Sequence, residues 1–421
     1  MTMAARPDPG AEAPNRAGGA ADMRHPSRAA LADAPSAEGT PAAAWEITEF
    51  NGRAGLGQLE ADWRRLYRDL AGRTVFHSYE ACKAYAENRM AEPDQLRCLR
   101  LGDGQRARAI CALEPRLERR LGPAVRVWGV LAYHDHLADV VCADDEARRA
   151  LFPAILAHLR RRPEGRLLLA LGPAPVHSAL WGGMAEHGRR GLCLDPKGCM
   201  VGLDCSSPFA QVLAQLPGKF RYTLKATRKR LDALEGVRFG AAREPPDFAA
   251  AFKVLLEIEA SGWKGRTGST LLLQPRAQAF YAALGATLRG PDDYCEIHSL
   301  HAEGRCLAAA LCARTGTTLA LLKTAYDEAY AHLAPGKLLL AHVMERCCGD
   351  PGIDWFDQVS DVPWMHGWRR ESVDLQLAYL NLGGGCGRLL IELLKLRFGP
   401  LRRLAHRLQP VLARLGVQRE E

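Results

Sequence analysis

The same order of secondary-structure patterns occurs twice along this chain of 421 residues. Each half has a strand pattern, two helical patterns, three strand patterns, a helical pattern and a last strand pattern, recognised by apolar residues two apart or three and four apart. This alternation predicts a mixed α/β fold, and the shared order indicates that the halves are structural duplicates. No repeat is visible at the level of individual residues.

The predicted elements have the following bounds. In the first half, strands are expected at 45–50, 96–101, 107–116, 125–130 and 166–171, and helices at 56–70, 78–89 and 144–161. Two further helices, at 208–216 and 219–235, come before the second half. There, strands are expected at 237–241, 295–301, 305–313, 318–326 and 353–356, and helices at 247–262, 276–288 and 337–348. We therefore expect two domains, 45–200 and 201–385.

The first 44 residues have a composition that opposes folding. They contain 15 Ala, 6 Pro and 4 Gly, and no aromatic residue comes before Trp45. Because such a segment buries too little apolar surface to offset its ordering entropy, we expect residues 1–44 to be disordered. The segment lacks the continuous apolar stretch of a secretory signal and contains several acidic residues, so we expect a cytoplasmic protein.

The last 36 residues are helical in pattern and basic. Residues 386–421 carry eight Lys/Arg and three Glu, which is +5 of the net charge of +8. A basic amphipathic helix of this kind either packs on the protein body or lies on an anionic membrane surface as a peripheral contact. We favour packing on the body. The sequence has no apolar run near the length of a membrane span.

The cysteine and histidine patterns give no metal site. The 13 cysteines form no C-x-x-C pair and read as small buried side chains in a reducing compartment. His134, Asp135 and His136 are adjacent, but no third or fourth ligand follows at a recognisable spacing. We therefore predict that no metal is bound.

The end of the strand at 318–326 is the most informative place for chemistry. A loop follows it, and Pro335-Gly336 opens a helix. A helix N-terminus offers free N–H groups and a partial positive charge, which suits a phosphate or pyrophosphate. Gly336 allows close backbone approach and Lys337 adds a cation. The alternative is that Pro-Gly is only a turn before the helix.

The segment 321–340, LLKTAYDEAYAHLAPGKLLL, resembles the FemABX-like branch of the GNAT acyltransferases. More narrowly, it is similar to the CelD-type or BioF-like acetyltransferases of bacterial polysaccharide loci. Other segments agree in order and spacing, and the resemblance extends over about 45–375: the basic stretch 219–231, the Trp-Lys-Gly loop at 262–268, the strand 353–356 followed by Asp361 and Trp368, and weaker matches at 76–79 and 133–139.

The resemblance implies tandem GNAT-like domains, each a mixed, largely antiparallel sheet flanked by helices. It also implies acyl transfer from a CoA thioester, with acetyl-CoA as the favoured donor, to an amine or a hydroxyl. The cofactor would bind at Pro335, Gly336, Lys337 and Leu338. The chain departs from the family at this loop, which lacks the usual Gln/Arg-x-x-Gly-x-Gly/Ala pattern, and at Met365, where the family has lysine.

Acyl transfer needs a backbone N–H against the thioester oxygen where two central strands splay, and an acid for the leaving thiolate. We assign the splay to the strands 305–313 and 318–326. Tyr326 is the candidate acid, with packing beneath the helix as the alternative. Asp327 and Glu328 are candidate bases, although a capping or turn role for Asp327 is the stronger interpretation.

Several residues are candidates for substrate contact. The segment 219–230 has six Lys/Arg and no acidic residue, and its face, with Arg221 and Lys225, would hold an anionic group unless it is only solvated. Trp263 and Lys264 would contact donor or acceptor, or else anchor their loop. His134 and Asp135 would line the cleft between the domains, and Asp361 and Trp368 would shape the acceptor pocket. A core position is the commoner role for such a Trp.

Three functions are compatible with these residues. The first is an acyltransferase that uses acyl-CoA and acts on an amine or hydroxyl of a cell-envelope or polysaccharide precursor. The second is a Fem-type transferase that uses aminoacyl-tRNA, which the basic helix supports. The third is a non-catalytic GNAT-fold assembly protein at a membrane, which the basic C-terminal segment supports. We favour the first.

Overall fold

The computed structural model describes residues 45–119, 124–134, 137–162, 164–182, 184, 191–359, 365, 367, 368 and 371–401. Residues 1–44, which are predicted to be disordered, lie outside these residues. So do Asp135, Asp361 and residues 402–421 of the basic segment 386–421. Within the described part of the chain, no helix is both long and apolar enough to cross a bilayer.

Fifteen strands are assigned in the described residues. They are β1 Glu46–Asn51, β2 Arg97–Gly102, β3 Ala107–Glu118, β4 Val125–Val130, β5 Ala132–His134, β6 Leu137–Ala138, β7 Val141–Cys142, β8 Leu168–Pro175, β9 Leu192–Asp204, β10 Arg238–Ala242, β11 Asp293–Ala302, β12 Arg305–Thr315, β13 Thr318–Tyr326, β14 Trp355–Asp357 and β15 Glu371–Asn381. The strands β5 and β6 form a separate hairpin, and the other strands form one sheet.

Eleven α-helices accompany these strands in the same residues. They are α1 Gly52–Gln58, α2 Glu60–Asp69, α3 Tyr79–Asn88, α4 Asp145–Arg161, α5 Phe209–Ala214, α6 Gly218–Leu231, α7 Pro245–Ser261, α8 Trp263–Arg266, α9 Pro275–Thr287, α10 Pro335–Gly349 and α11 Gly384–Leu396. A short 3₁₀ helix, Glu328–Leu333, lies between β13 and α10.

The two halves have the same strand topology. In the first, β1, β2, β3 and β4 pair antiparallel in order, and β8 joins β4 in parallel through the helix α4. In the second, β10, β11, β12 and β13 pair antiparallel, and β14 joins β13 in parallel through α10. The predicted α/β class, with two similar and largely antiparallel halves, is therefore confirmed.

The halves exchange their last strands at the centre of the sheet. The strand β9 follows β8 in the chain, but it pairs with β14 of the second half. The strand β15 follows β14, but it pairs with β8 of the first half. The exchanged strands also pair with each other, so the order at the centre is β8-β15-β9-β14 and the sheet is continuous.

Helices cover both faces of this sheet. On one face, α2 and α3 of the first half and α7 and α9 of the second share a single apolar core, in which Tyr85 and Phe280 meet edge to face at 6.2 Å. On the other face, α4 covers the first half and α10 covers the second. The C-terminal helix α11 packs on β4, β8, β9 and β15 through Ile391 and Leu394.

The exchanged strands were absent from the sequence-based prediction. The strand β9 contains Pro196 and Gly198, which weaken a strand pattern. The strand β15 alternates apolar and polar residues from Val373 to Leu377 and was the more readable of the two. The other large strands and helices lie within a few residues of their predicted bounds, except that 263–266 is a short helix rather than a loop.

Replacing Gly202 of β9 with alanine should destabilise the protein by about 1–3 kcal/mol through overpacking. Gly202 pairs with both Asp357 of β14 and Glu371 of β15, and a Cβ there would overlap the indole of Trp355. Urea unfolding measures the effect. The control is Gly218→Ala in α6, where no atom lies within 4 Å of the new methyl. Equal stability of the two variants would contradict tight packing at the exchange.

Candidate functional site

The unit β13-α10-β14 brings the ends of three secondary-structure elements together. Its strands are parallel, so their C-terminal ends and the N-terminus of α10 meet at one edge, where ligands commonly bind in α/β folds. Only Thr318–Ala320 pairs with Trp355–Asp357, and β13 then runs on to Tyr326 with β12 along its other edge. The splay is therefore between β13 and β14. Our assignment of it to 305–313 and 318–326 is wrong, because those strands stay paired.

A β-bulge lies in β13 directly beyond the last parallel pair. Leu311 pairs with Lys323 and Cys312 pairs with Leu321, which leaves Leu322 as an extra residue. A bulge turns backbone groups away from the regular ladder. The backbone N–H of the extra residue, Leu322, is therefore the candidate donor for the negative charge that develops in acyl transfer. The matching pair in the first half, β3 and β4, has no register shift.

The N-terminus of α10 is open to an anion. No side chain caps it and its first turn contains no acidic residue. The amides of Lys337 and Leu338 donate to the Ala334 carbonyl at 3.0 and 3.2 Å, and Pro335 has no N–H. Gly336 thus supplies the amide without an acceptor among the described residues. Leu338 lies in the core, so its predicted cofactor contact has neither a free amide nor an accessible side chain.

The equivalent helix of the first half is closed. The Asp144 side chain caps α4 by accepting from the Ala147 N–H at 2.9 Å, and Asp145 and Glu146 lie in the first turn. Carboxylates at this end satisfy the helix dipole and repel a phosphate. The two halves therefore share a topology but differ in chemistry, and only the second presents an open helix end beside a bulged, splayed strand pair.

Tyr326 and Asp327 lie at the end of β13. The Tyr326 side chain is 39% exposed, and its ring packs against the backbone of Gly336. The tyrosine is therefore beside the open helix end rather than beneath the helix. The Asp327 carboxylate accepts from the Ala329 N–H at 3.0 Å and so begins the 3₁₀ helix. This contact is the capping role that the sequence favoured.

Glu328 ties the Trp263 loop to the site. Its carboxylate accepts from the Trp263 N–H and from the Arg266 guanidinium, each at 2.7 Å. The bond from Arg266, and next that from Trp263, lower the pKa of Glu328. The carboxylate is thus held as an anion by this loop. The resulting contact fixes the loop beside the end of β13.

Trp263 and Lys264 have different environments within this loop. The Lys264 ammonium lies 2.7 Å from a carboxylate oxygen of Glu259, which is buried and also accepts from the Leu271 N–H. Lys264 therefore anchors the loop to α7 from within. The Trp263 indole is 53% exposed. An exposed indole on a doubly anchored loop is available to a ligand.

The helix α6 lies against α10 and the 3₁₀ helix. Its Phe220 ring meets Trp368 edge to face at 5.1 Å, with the Lys337 ammonium 5.7 Å from the Phe220 ring centre. Trp368 is buried in this contact, so it belongs to the core. The outer side of α6 is exposed, and five of its cations have no acidic partner among the described residues: Lys219, Arg221, Lys225, Lys229 and Arg230.

The end of β14 contains three residues that the sequence analysis missed. Asp357 is 1% exposed, and burial raises its pKa to about 7 even though it accepts from the Val359 N–H at 2.7 Å. Val359 has a φ of 61°, which is strained for a β-branched residue. Gln358 is buried between them. Asp357 could have been identified from the sequence, because it is a carboxylate at the end of the apolar strand pattern Ile-Asp-Trp-Phe-Asp.

The remaining predicted residues add little. His134 lies in the hairpin strand β5, and Asp135 and Asp361 lie outside the described residues. In the described part of the chain, no group of three His, Cys, Asp or Glu side chains has metal-binding geometry. Of the predicted site, the structure brings together Tyr326, Gly336 and Lys337, with Trp263 on the adjoining loop.

The first half has a separate cavity of about 320 Å³ near the closed end of α4. Asp139 at its wall accepts from Ser178 at 2.6 Å and pairs with the His77 ring at 3.1 Å. Burial alone would raise the pKa of Asp139, but His77 and Ser178 outweigh it and lower the pKa. His77 also accepts from the Thr74 N–H, so both ring nitrogens are occupied. These contacts hold the wall together.

Comparison with known families agrees with this geometry. Residues 218–361 match the family described as the acetyltransferase (GNAT) domain. This match covers about a third of the chain and lies within the second half. The predicted resemblance to GNAT acyltransferases is thereby confirmed for this segment, and the match supports a transferase. No curated protein sequence matches the chain significantly.

Solved structures with a similar fold are distant in sequence. One is the C-terminal domain of a protein described as a lysylphosphatidylglycerol synthetase from Agrobacterium fabrum (12% identity, 81% of this chain and 96% of that chain, TM-score 0.49). Another is FemX (12%, 68% and 88%, TM-score 0.47). A third is a tandem GNAT protein from the clavulanic acid biosynthesis pathway (14%, 81% and 100%, TM-score 0.43).

Replacing Asp357 with asparagine should stabilise the protein more at pH 8 than at pH 5. The folded-state pKa of Asp357 is about 7, whereas the unfolded value is about 3.9. The folded protein therefore favours the protonated carboxyl and loses stability as the pH rises from about 4 to about 7. The gain should approach about 4 kcal/mol at pH 8 as an upper bound. Asparagine keeps the acceptor for Val359.

Urea unfolding at the two pH values measures this difference. The control is Asp374→Asn on an exposed position of β15, which should change stability little at either pH. A gain for Asp357→Asn that is the same at pH 5 and pH 8 would contradict a raised pKa for this carboxyl.

Proposed function

We propose that the second half transfers an acyl group, most simply acetyl, from a CoA thioester to an amine or a hydroxyl. The observation that supports this best is the open N-terminus of α10 at the mouth of the splay between β13 and β14. The Gly336 amide and the Lys337 ammonium provide a site for the pyrophosphate. The N-terminus of α4, the equivalent helix in the first half, is capped by Asp144 and would repel the pyrophosphate.

The chemistry needs three contributions from the chain. Backbone N–H groups at the Leu322 bulge face the negative charge that develops on the thioester oxygen. The attacking amine or hydroxyl forms the new bond to the carbonyl carbon as the carbon–sulfur bond breaks. Tyr326 gives its hydroxyl proton to the leaving sulfur, and a base takes the proton of the nucleophile.

We propose a cell-envelope or polysaccharide precursor as the acceptor, in line with the family resemblance. The exposed Trp263 indole supports this choice, because a fixed aromatic face with a polar edge suits the mixed apolar and polar surface of a sugar. Its loop is held by Glu328 next to Tyr326, so an acceptor stacked on Trp263 would lie beside the proposed acid.

Peripheral membrane contact is a further part of this proposal. The helix α11 buries Ile391 and Leu394 but leaves Leu389, Leu393 and Leu396 exposed. These leucines lie on one outward face, and most of the cations of 386–421 follow in the sequence. An apolar face beside basic residues suits the surface of an anionic bilayer, where a lipid-linked acceptor would be found.

A Fem-type transfer from aminoacyl-tRNA is the second candidate. One observation favours it, namely the cations on α6 that have no acidic partner in the described part of the chain and that lie beside the open end of α10. Such a surface suits a phosphate backbone, and its binding would fall steeply with salt.

Thermal unfolding in the presence of CoA, acetyl-CoA and longer acyl-CoAs tests the first candidate. A ligand that binds only the folded state adds about 2.7 kcal/mol at 100 times its dissociation constant, which raises the melting temperature by several degrees. We expect a shift that depends on the acyl chain. Folded protein that shows no shift with any of these ligands would contradict a CoA-dependent transferase.

Lys337→Glu should weaken CoA binding by roughly tenfold or more, because it puts a carboxylate beside the pyrophosphate site. Titration calorimetry measures the affinity. Lys253→Glu on the exposed side of α7 is the matched charge change and should leave the affinity unchanged. Equal affinities for both variants would remove α10 from the binding site.

The second candidate is tested with deacylated tRNA over a range of salt concentrations. It requires binding whose logarithm falls linearly with the logarithm of the salt concentration. The double variant Arg221→Glu/Lys225→Glu should then lose most of the affinity and reduce the slope. Filter binding measures both quantities. Absence of binding at low salt, or a double variant that binds tRNA as the wild type does, would argue against this function.

A further inference from the structure

Gln358 is a buried side chain whose hydrogen-bonding groups have no partner. The residue is 3% exposed, and neither its amide nitrogen nor its carbonyl oxygen has a hydrogen-bond partner in the part of the chain that the structure describes. Its backbone is fixed, since the Gln358 N–H donates to the Val201 carbonyl at 2.9 Å. Burying a carboxamide without partners costs the folded protein stability, so its presence calls for a specific explanation.

The position of Gln358 in the strand shows on which face of the sheet its side chain lies. Phe356 packs in the core beneath α10, whereas Val359 packs in the core of α7 and α9. Because side chains alternate along a strand, Gln358 follows Phe356 to the α10 side. The end of β14 is also the end of the unit at which α10 begins. Gln358 is therefore on the proposed donor side of the splay.

The fold itself does not need a polar residue here. The parallel pairs that begin with Val127 and Leu168 in the first half correspond to those that begin with Thr318 and Trp355 in the second. Counting along both strands, the equivalent of Gln358 is Leu171, which is fully buried in an apolar core. The next residue is Gly172 in one half and Val359 in the other, and both have positive φ. The same backbone thus accepts a leucine.

We propose that the Gln358 carboxamide binds an amide group in the pantetheine arm of the acyl donor. This inference rests on the proposed function. A carboxamide offers one carbonyl and an N–H pair, so it can donate to the carbonyl or accept from the N–H of a secondary amide. The pantetheine arm contains two secondary amides. The ester that joins an amino acid to tRNA contains none, so Gln358 selects a thioester donor with this arm.

Gln358→Leu tests this role with two independent readouts. Without ligand the variant should have a higher melting temperature than the wild type, because it removes an unpartnered buried amide. With CoA as the probe its affinity should fall by about fivefold to tenfold, the effect of one lost hydrogen bond. Adenosine 3′,5′-bisphosphate, which lacks the pantetheine arm, should bind both proteins equally. Gln215→Leu, at an exposed position after α5, is the control.

The outcomes separate this inference from the proposed function. If the wild type binds CoA and Gln358→Leu binds it equally well, the role of Gln358 is overturned and the acyltransferase proposal stands. If the wild type binds no CoA at all, the proposed function fails and this inference fails with it. A Gln358→Leu protein that does not fold, or melts below the wild type, also contradicts the inference, since the amide would then have a structural role.

Discussion

The site depends on how little of β14 is paired with β13. Only three residues of each strand are in register, and beyond Ala320 the two strands part. A strand of three residues is too short to be stable at the edge of a sheet, so β14 needs a partner on its other side. That partner is β9, which the first half of the chain supplies. The exchange of strands therefore holds the splay open, and the second half would lack a complete sheet on its own.

The duplicated topology carries one open site and one closed site. In each half a helix begins at the C-terminal ends of two parallel strands, where the sheet geometry favours an anion. Asp144 takes this place in the first half through its own carboxylate, while Ala334 and Gly336 leave it open in the second. The bulge at Leu322 occurs only in the open half. Backbone geometry alone thus does not determine the chemistry, because a few side chains at the helix end decide it.

Much of the second half could be predicted from the sequence because its signals are local. The strand β13, the loop and the start of α10 are contiguous, so Tyr326, Gly336 and Lys337 were identified together. The basic surface of α6 follows from residue spacing in the same way. Local patterns also anticipated that Asp327 caps the segment after β13, since a short carboxylate before a turn commonly does so.

The parts that were missed depend on contacts between distant segments. The exchanged strands β9 and β15 are adjacent only in the folded sheet, and Pro196 hides the first of them in the sequence. Trp368 is a core residue because it meets Phe220, about 150 residues earlier in the chain. Lys264 is an anchor because Glu259 is buried beneath it. No spacing rule gives the burial of Gln358 and Asp357, which arises from the closure of the sheet around a very short strand.

Neighbouring residues at the end of β14 face opposite sides of the sheet. Strand alternation sends Gln358 to the face of α10 and Asp357 to the face of α7 and α9. On the proposed function, the donor arm lies on the first face, and the Trp263 loop that follows α7 belongs to the second. A carboxyl with a pKa of about 7 can take a proton near neutral pH, but the buried Asp357 carboxyl, like that of Asp327, already accepts a backbone N–H. The positive φ of Val359 ends the strand directly after Asp357 and Gln358.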